Sequence, residues 1–148
     1  MTLTVEWRNG NSVLPEHSLM LIAFPGVGNV GKAAIDAVNS VNEATQVARL
    51  YDTSLPPLAC LDEDGLLAPP HYTLSSIESS TGKVVLTLTG STQPVDPNSQ
   101  GMLANEIMKF FMEQGVSELV VMAGLGSEPS RKETFIVASN SSHRIELE

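Results

Sequence analysis

The chain has 148 residues, 42% of them hydrophobic, and a single cysteine, Cys60. That length is one domain with a core that needs no staples, and one thiol cannot form an internal disulfide, which points to a cytoplasmic protein. Eight basic against seventeen acidic side chains leave a net charge of -9, which argues against general nucleic-acid binding and against anionic membranes, since both need a basic face.

The start, Met1-Thr2-Leu3-Thr4-Val5-Glu6, has neither the basic nor the apolar region of a signal peptide. Leu3 to Trp7 alternates and predicts a short first strand ended by the turn Asn9-Gly10-Asn11. Leu19 to Phe24 is continuously apolar, as in a strand covered on both faces, and far too short to span a bilayer. Pro25-Gly26-Val27-Gly28-Asn29 turns the chain into a helix, where Val30, Ala34, Ala37, Val38 and Val41 recur at helical spacing. Gln46 to Tyr51 predicts a further strand. Leu55-Pro56-Pro57-Leu58 cannot be helical. Glu63-Asp64-Gly65 and Ser80-Thr81-Gly82 then mark two hairpin-like excursions ending in the strand Lys83 to Thr89. Asn98 or Ser99 is expected to cap a helix with Leu103, Ile107, Phe110 and Phe111 on its apolar face, closed by Gly115. Glu118 to Ala123 and Thr134 to Ala138 read as strands, and Asn140 to His143 as a turn. The alternation predicts a layered α/β domain. Residues 1–146 form its one domain, and Leu147-Glu148 reads as a cloning remnant.

The sharpest local signal is Gly26-Val27-Gly28-Asn29-Val30-Gly31-Lys32, between a buried strand and a helix. Gly26, Gly28 and Gly31 satisfy the dinucleotide fingerprint G-x-G-x-x-G: a tight turn, close backbone approach to a pyrophosphate, and helix–strand contact. Free N–H groups at the helix start would face the anion. Asp52, 21 residues beyond Gly31, stands where a ribose-binding carboxylate is expected. Gly26, Gly28, Asn29, Gly31, Lys32 and Asp52 are therefore the candidate site for NAD, another nucleotide or phosphate, or for a protein partner. The same stretch fits G-x-x-x-x-G-K, but Ala33 replaces the Ser or Thr that would hold Mg²⁺. Against both stands a purely structural elbow, which any buried strand turning sharply into a helix requires. Asp52 leads into Thr-Ser-Leu-Pro-Pro-Leu and hairpins, not into the helix and third parallel strand of a dinucleotide-binding half.

Other chemistry is sparse. His17, His71 and His143 are scattered, and His71, after Pro69-Pro70, is expected at the surface. Cys60 reads as a buried, inert thiol. Ser91 and Thr92 could face a cleft at the strand ends, without a nucleophile elbow. Asp62-Glu63-Asp64 reads as a solvated acidic tip rather than a metal site. Arg131-Lys132 beside Glu133 is a small basic spot, and Met102, Met108 and Met112 form a stripe expected in the core.

Taken in order, the elbow Ile22 to Gly31, Leu55-Pro56-Pro57, Asp62 to Gly65, Val84 to Pro94, the helix to Phe111, Glu113 to Val116, and Phe135 to Asn140 resemble the proteasome assembly chaperone 2 family. The resemblance covers residues 15–140. It implies a three-layer α/β/α sandwich with a mixed sheet, Rossmann-like and related to the phosphorylase/hydrolase-like folds, and a non-enzymatic, homo-oligomeric chaperone that contacts proteasome α-subunits, with no cofactor. Relatives usually run on through another glycine-rich turn and helix, so the chain is expected to be shortened. Glu146-Leu147-Glu148 also departs from the hydrophobic–tyrosine–any tripeptide through which some archaeal relatives dock. The alternative expectation is a nucleotide- or phosphate-binding enzyme or sensor using the Gly26–Gly31 loop.

Overall fold

The computed structural model describes residues 3–62 and 64–148. Six strands form a mixed sheet: β1 (Thr4–Trp7), β2 (Leu19–Ile22), β3 (Thr45–Tyr51), β6 (Tyr72–Glu78), β7 (Val84–Gly90) and β8 (Leu119–Val121), in the spatial order β1-β3-β6-β7-β2-β8. The first four in that order pair antiparallel; β2 pairs parallel with both β7 and β8. The two hairpins expected in the middle of the chain are both present. One is β6 and β7; the other is the small separate pair β4 (Cys60–Leu61) and β5 (Leu67–Ala68).

Two antiparallel steps separate β3 from β7, so β3 points the same way as β2. The connections β2–α1–β3 and β7–α2–β8 are thus parallel crossovers leaving the β2–β7 seam in opposite directions. Since crossovers share one hand, their helices must fall on opposite faces of the sheet. They do. α2 (Pro97–Glu113) buries Leu103, Ile107 and Phe111, a stripe at i, i+4 and i+8, in one core with Met20, Ile22, Leu74, Leu86 and Leu88. Each such side chain contributes about 1.5–3 kcal/mol by leaving water. α1 (Val30–Val41) covers the other face, where Thr87 Oγ1 donates to Asn39 Oδ1 at 2.8 Å. Alternation along β7 puts Leu86 and Leu88 on the α2 side and Thr87 and Thr89 on the α1 side. The α1 side of the sheet is therefore the polar one, carrying Arg49, Ser75, Thr87 and Thr89, all buried.

Several sequence expectations are corrected. α1 is rotated: it buries Gly31 and Ile35, while Val30, Ala37 and Val41 are exposed. α2 is capped by Asp96, whose carboxylate accepts from Ser99 N at 2.8 Å. Pro97 fits the first helical position, so the helix begins ahead of Asn98. The methionines expected in the core, Met102, Met108 and Met112, are all exposed. Thr134–Ala138 forms no strand, because no neighbour supplies a ladder: strand propensity without a partner does not make a strand. Beyond it, Ser141–Leu147 is a helix, α3, not a turn; Asn140 Oδ1 accepts from His143 N at 2.8 Å and caps it. No helix among the described residues is long and apolar enough to cross a membrane.

Candidate functional site

The crevice outside the carboxyl ends of β2 and β7 is a topological switch point, the place where open α/β sheets bind ligands. The glycine segment stands there in its expected strand–turn–helix setting. Gly28 and Asn29 take left-handed angles, φ 63° and 53°, which lets the 3-10 turn Val27–Asn29 feed α1. A Cβ on Gly31 would press on the Met122 carbonyl oxygen and lie 3.0 Å from Ala23 Cβ, so this glycine is where α1 touches the sheet. The Gln93 amide donates to the Pro25 carbonyl from the β7 side, and Gly124 packs on the Val27 carbonyl from the β8 side. What is left is a recess of about 190 Å³, below the roughly 300 Å³ at which small-molecule pockets begin. Gly26, Gly28, Asn29 and Gly31 are thus brought together. Lys32 turns instead toward a neighbouring cavity, its ammonium 2.5 Å from Asp36. Asp52 lies at the same end of the sheet, but β6 and β7 intervene, a separation of roughly 14 Å between β2 and β3 at the usual strand spacing. Its carboxylate accepts from Ser54 N at 2.8 Å, a local turn leading into Leu55-Pro56-Pro57.

The neighbouring cavity holds about 310 Å³ on the polar side of the sheet. Its floor is Thr73 and Thr89. Lys32, Asp36 and Asn39, one face of α1, make one wall; Cys60 to Asp62 and His71 make the other. Asp62 is not part of a solvated tip. Its side chain is 7% exposed, and its carboxylate lies 3.3 Å from Arg49, itself 5% exposed. Hydrogen bonds from the Leu66 and Asp64 backbone, Leu66 foremost, and from Arg49 hold the carboxyl below its ordinary range. Asp64 is exposed as expected, and Glu63 lies outside the described residues. Cys60 is half-buried at the cavity, not deep in the core, with Sγ 3.8 Å from Ser91 Oγ. His71 Nδ1 is 2.9 Å from the Pro69 carbonyl and its ring 5.4 Å from Tyr51. No group of His, Cys, Asp and Glu among the described residues could hold a metal ion. Asn39, Arg49 and Thr89 were not singled out in the sequence. The available signal was Thr87-Leu88-Thr89, whose alternation sets two hydroxyls on one sheet face, and a lone arginine inside the otherwise apolar centre of β3.

A third feature is apolar. Val27 and Val30 at the start of α1, Val121 on the edge strand β8, and Leu125, Phe135, Ile136 and Val137 beyond it are all exposed, Val137 at 92%. Two open cavities run along these residues and share Ala123, Thr134 and Phe135, so the surface is continuous. One of them, about 630 Å³, separates β8 from Thr134–Ala138. Arg131, the basic spot beside this surface, pairs with Glu133 at 2.8 Å. Continuous exposed apolar surface of this kind marks protein contact sites.

Comparison with known proteins gives three matches. The PAC2 family model matches residues 20–148. An uncharacterized protein of Methanocaldococcus jannaschii is 24% identical over 130 residues, which are 88% of this chain and 50% of that protein. The crystal structure of Pyrococcus furiosus PbaB, an archaeal proteasome activator, superposes with a TM-score of 0.72 at 20% identity, covering 89% of this chain and 55% of PbaB. The chain therefore spans about half the length of both relatives, and the likeness to PbaB carries the α/β fold.

Proposed function

The chain belongs to the PAC2 family, and we propose that it is a proteasome-related binding protein, an assembly chaperone or activator that works by protein–protein contact on proteasome α-subunits and without catalysis. The observation that carries this reading is the apolar surface running from Val27 and Val30 over the β8 edge to Val137. Water-exposed valine, leucine and phenylalanine in one continuous patch are costly to solubility and gain their return on burial against a partner, roughly 25 cal/mol for each Å² covered. The surface is flanked by strand edge, which can add backbone hydrogen bonds to a partner strand. Family membership and the fold shared with an archaeal proteasome activator support the choice of partner. The glycine loop serves this function as a rigid elbow that presents Val27 and Val30.

The test is co-purification of the chain with proteasome α-subunits from its own source, read by native mass spectrometry. The double variant Phe135→Glu/Val137→Glu changes only exposed side chains and should leave thermal stability within a degree or two. Affinity should fall by at least tenfold, since two charges would be desolvated at the interface. Failure of the unaltered chain to bind, or equal binding by the variant, refutes the assignment.

A further inference from the structure

The gap between β8 and Thr134–Ala138 has the measure of a strand. A residue in a sheet occupies about 3.3 Å along its strand, about 4.8 Å across the sheet and about 10 Å through it, or about 160 Å³. The gap of 630 Å³ therefore takes one extended segment of about four residues. Both of its walls are unfinished. Among the described residues β8 pairs only with β2, and Val120 and Val121 are exposed. Thr134–Ala138 has the composition of a strand but pairs with none among the described residues, and Phe135, Ile136 and Val137 are all exposed. The area of the molecule points to what fills the gap. The chain exposes 9614 Å² at a mass of 15.8 kDa, about 2,300 Å² more than a compact monomer of that mass. An obligate homodimer covers about 1,000–2,500 Å² on each protomer, so one second copy matches the excess. Charge agrees. At a net charge of -9 two copies repel except across uncharged surface, and neither Leu119–Ala123 nor Thr134–Ala138 contains a charged residue.

We infer that the gap is filled by Thr134–Ala138 of a second copy, and that the exchange is reciprocal. Each chain offers one strand-wide gap and, beyond it, one unpaired segment. About a two-fold axis beside Ile136 the two segments lie side by side, each also against the other copy's β8. One sheet then runs through the dimer in the order β8, second copy's segment, own segment, second copy's β8. Such a contact is self-complementary and closes at two. It covers Phe135, Ile136 and Val137, so α-subunits must displace the second copy to reach that part of the surface; this consequence alone rests on the proteasome-related reading.

The experiment is analytical ultracentrifugation of the full chain alone, with hydrogen exchange across the same concentrations. A species of twice the chain mass should form, and the amides of residues 134–138 should gain protection as it does. Facing residues of paired strands lie about 4.5–5.5 Å apart, within disulfide reach. In a Cys60→Ser background, Phe135→Cys, Ile136→Cys or Val137→Cys should therefore give an intermolecular disulfide on oxidation with copper–phenanthroline. Ile136→Lys alters an exposed side chain, sets like charges opposite each other, and should weaken the dimer at least tenfold in a chain that still unfolds cooperatively. A chain that stays monomeric up to its solubility limit, a dimer with residues 134–138 unprotected, cross-linking at none of the three positions, or equal dimerisation by Ile136→Lys overturns the proposal. A monomer that still binds α-subunits refutes the dimer alone, and a dimer that binds none refutes the proteasome-related reading alone.

Discussion

Two glycines inside helices make an internal comparison. Exchanging glycine for alanine in a helix interior gains about 0.8–1 kcal/mol from backbone propensity alone. At Gly101, in α2, an added Cβ meets nothing within 4 Å, so Gly101→Ala should be stabilised by about that amount. At Gly31 the same Cβ would press on the Met122 carbonyl, against a usual closest C···O approach of about 3.3 Å, and would crowd Ala23 Cβ. Both neighbours are held by the sheet: Met122 N donates to the Ile22 carbonyl at 2.8 Å and Ala23 N to that of Leu88 at 3.1 Å. Overpacking against such rigid neighbours costs about 1–3 kcal/mol. Gly31→Ala should therefore lose up to about 2 kcal/mol net, and the two variants should differ by about 1–3 kcal/mol, the overpacking cost itself. Urea titration of the single Trp7, whose ring lies 6.1 Å from Phe110, follows the docking of α2 on the sheet. At about 2 kcal/mol per molar for small proteins, the midpoints should separate by roughly 0.5–1.5 M with the slope unchanged. A Gly31→Ala protein as stable as Gly101→Ala would refute the packing account and return this glycine to the ligand-binding reading.

Phe111, fully buried among the core residues, should cost about 3–5 kcal/mol as Phe111→Ala; a loss under 1 kcal/mol in the same titration would contradict the assigned core. Asn39→Ala strands the buried Thr87 hydroxyl and should cost about 1–3 kcal/mol. Adding Thr87→Val should restore part of it, and simple additivity in that double-mutant cycle would mean the bond does not couple α1 to β7. Asp62 is held below its ordinary carboxyl value of 3.8, so its contribution is complete above that pH and is lost as pH falls through the lower folded value. Asp62→Asn should accordingly be less stable than the unaltered protein at neutral pH and decline less between pH 4 and pH 2; parallel pH profiles in thermal unfolding would disprove it.

The sheet was legible where sequence and burial share a period. Continuous apolar runs at residues 19–24 and 119–123 mark the parallel strands, although only β2 is covered while β8 is an exposed edge, and Ser80-Thr81-Gly82 marks the β6–β7 turn. α1 was located but misoriented, because its most apolar stripe, Val30, Ala37 and Val41, faces outward while Gly31 and Ile35 face the sheet. A periodicity argument assumes that apolar means inward, and the exposed Val30, Ala37 and Val41 break that assumption. The Arg49–Asp62 pair was hidden for another reason. Thirteen residues, including the loop through Leu55-Pro56-Pro57, separate its members, and nothing local announces that β3 and the β4–β5 loop will meet. The glycine segment was seen at once, since it obeys strand–turn–helix spacing. That Gln93, 68 residues from Pro25, stands across its mouth depends on β7 lying next to β2, which only topology supplies.

The strand order also sets a timetable for the emerging polypeptide. β2 leaves the ribosome early, yet its parallel neighbours β7 and β8 are made some 65 and 100 residues later. Until Gly90 has been synthesised, the apolar strand Leu19–Ile22 has no seat, and α1 has no complete surface to lie on. By contrast β3, β6 and β7 form an antiparallel meander whose pairings close over short distances. Local pairings form ahead of distant ones because they cost less loop-closure entropy. The meander is thus the first part able to hold together, and β2 is drawn in against its finished edge before β8 joins. The elbow at Gly31, carried by that late-arriving strand, is among the last features of the molecule to set.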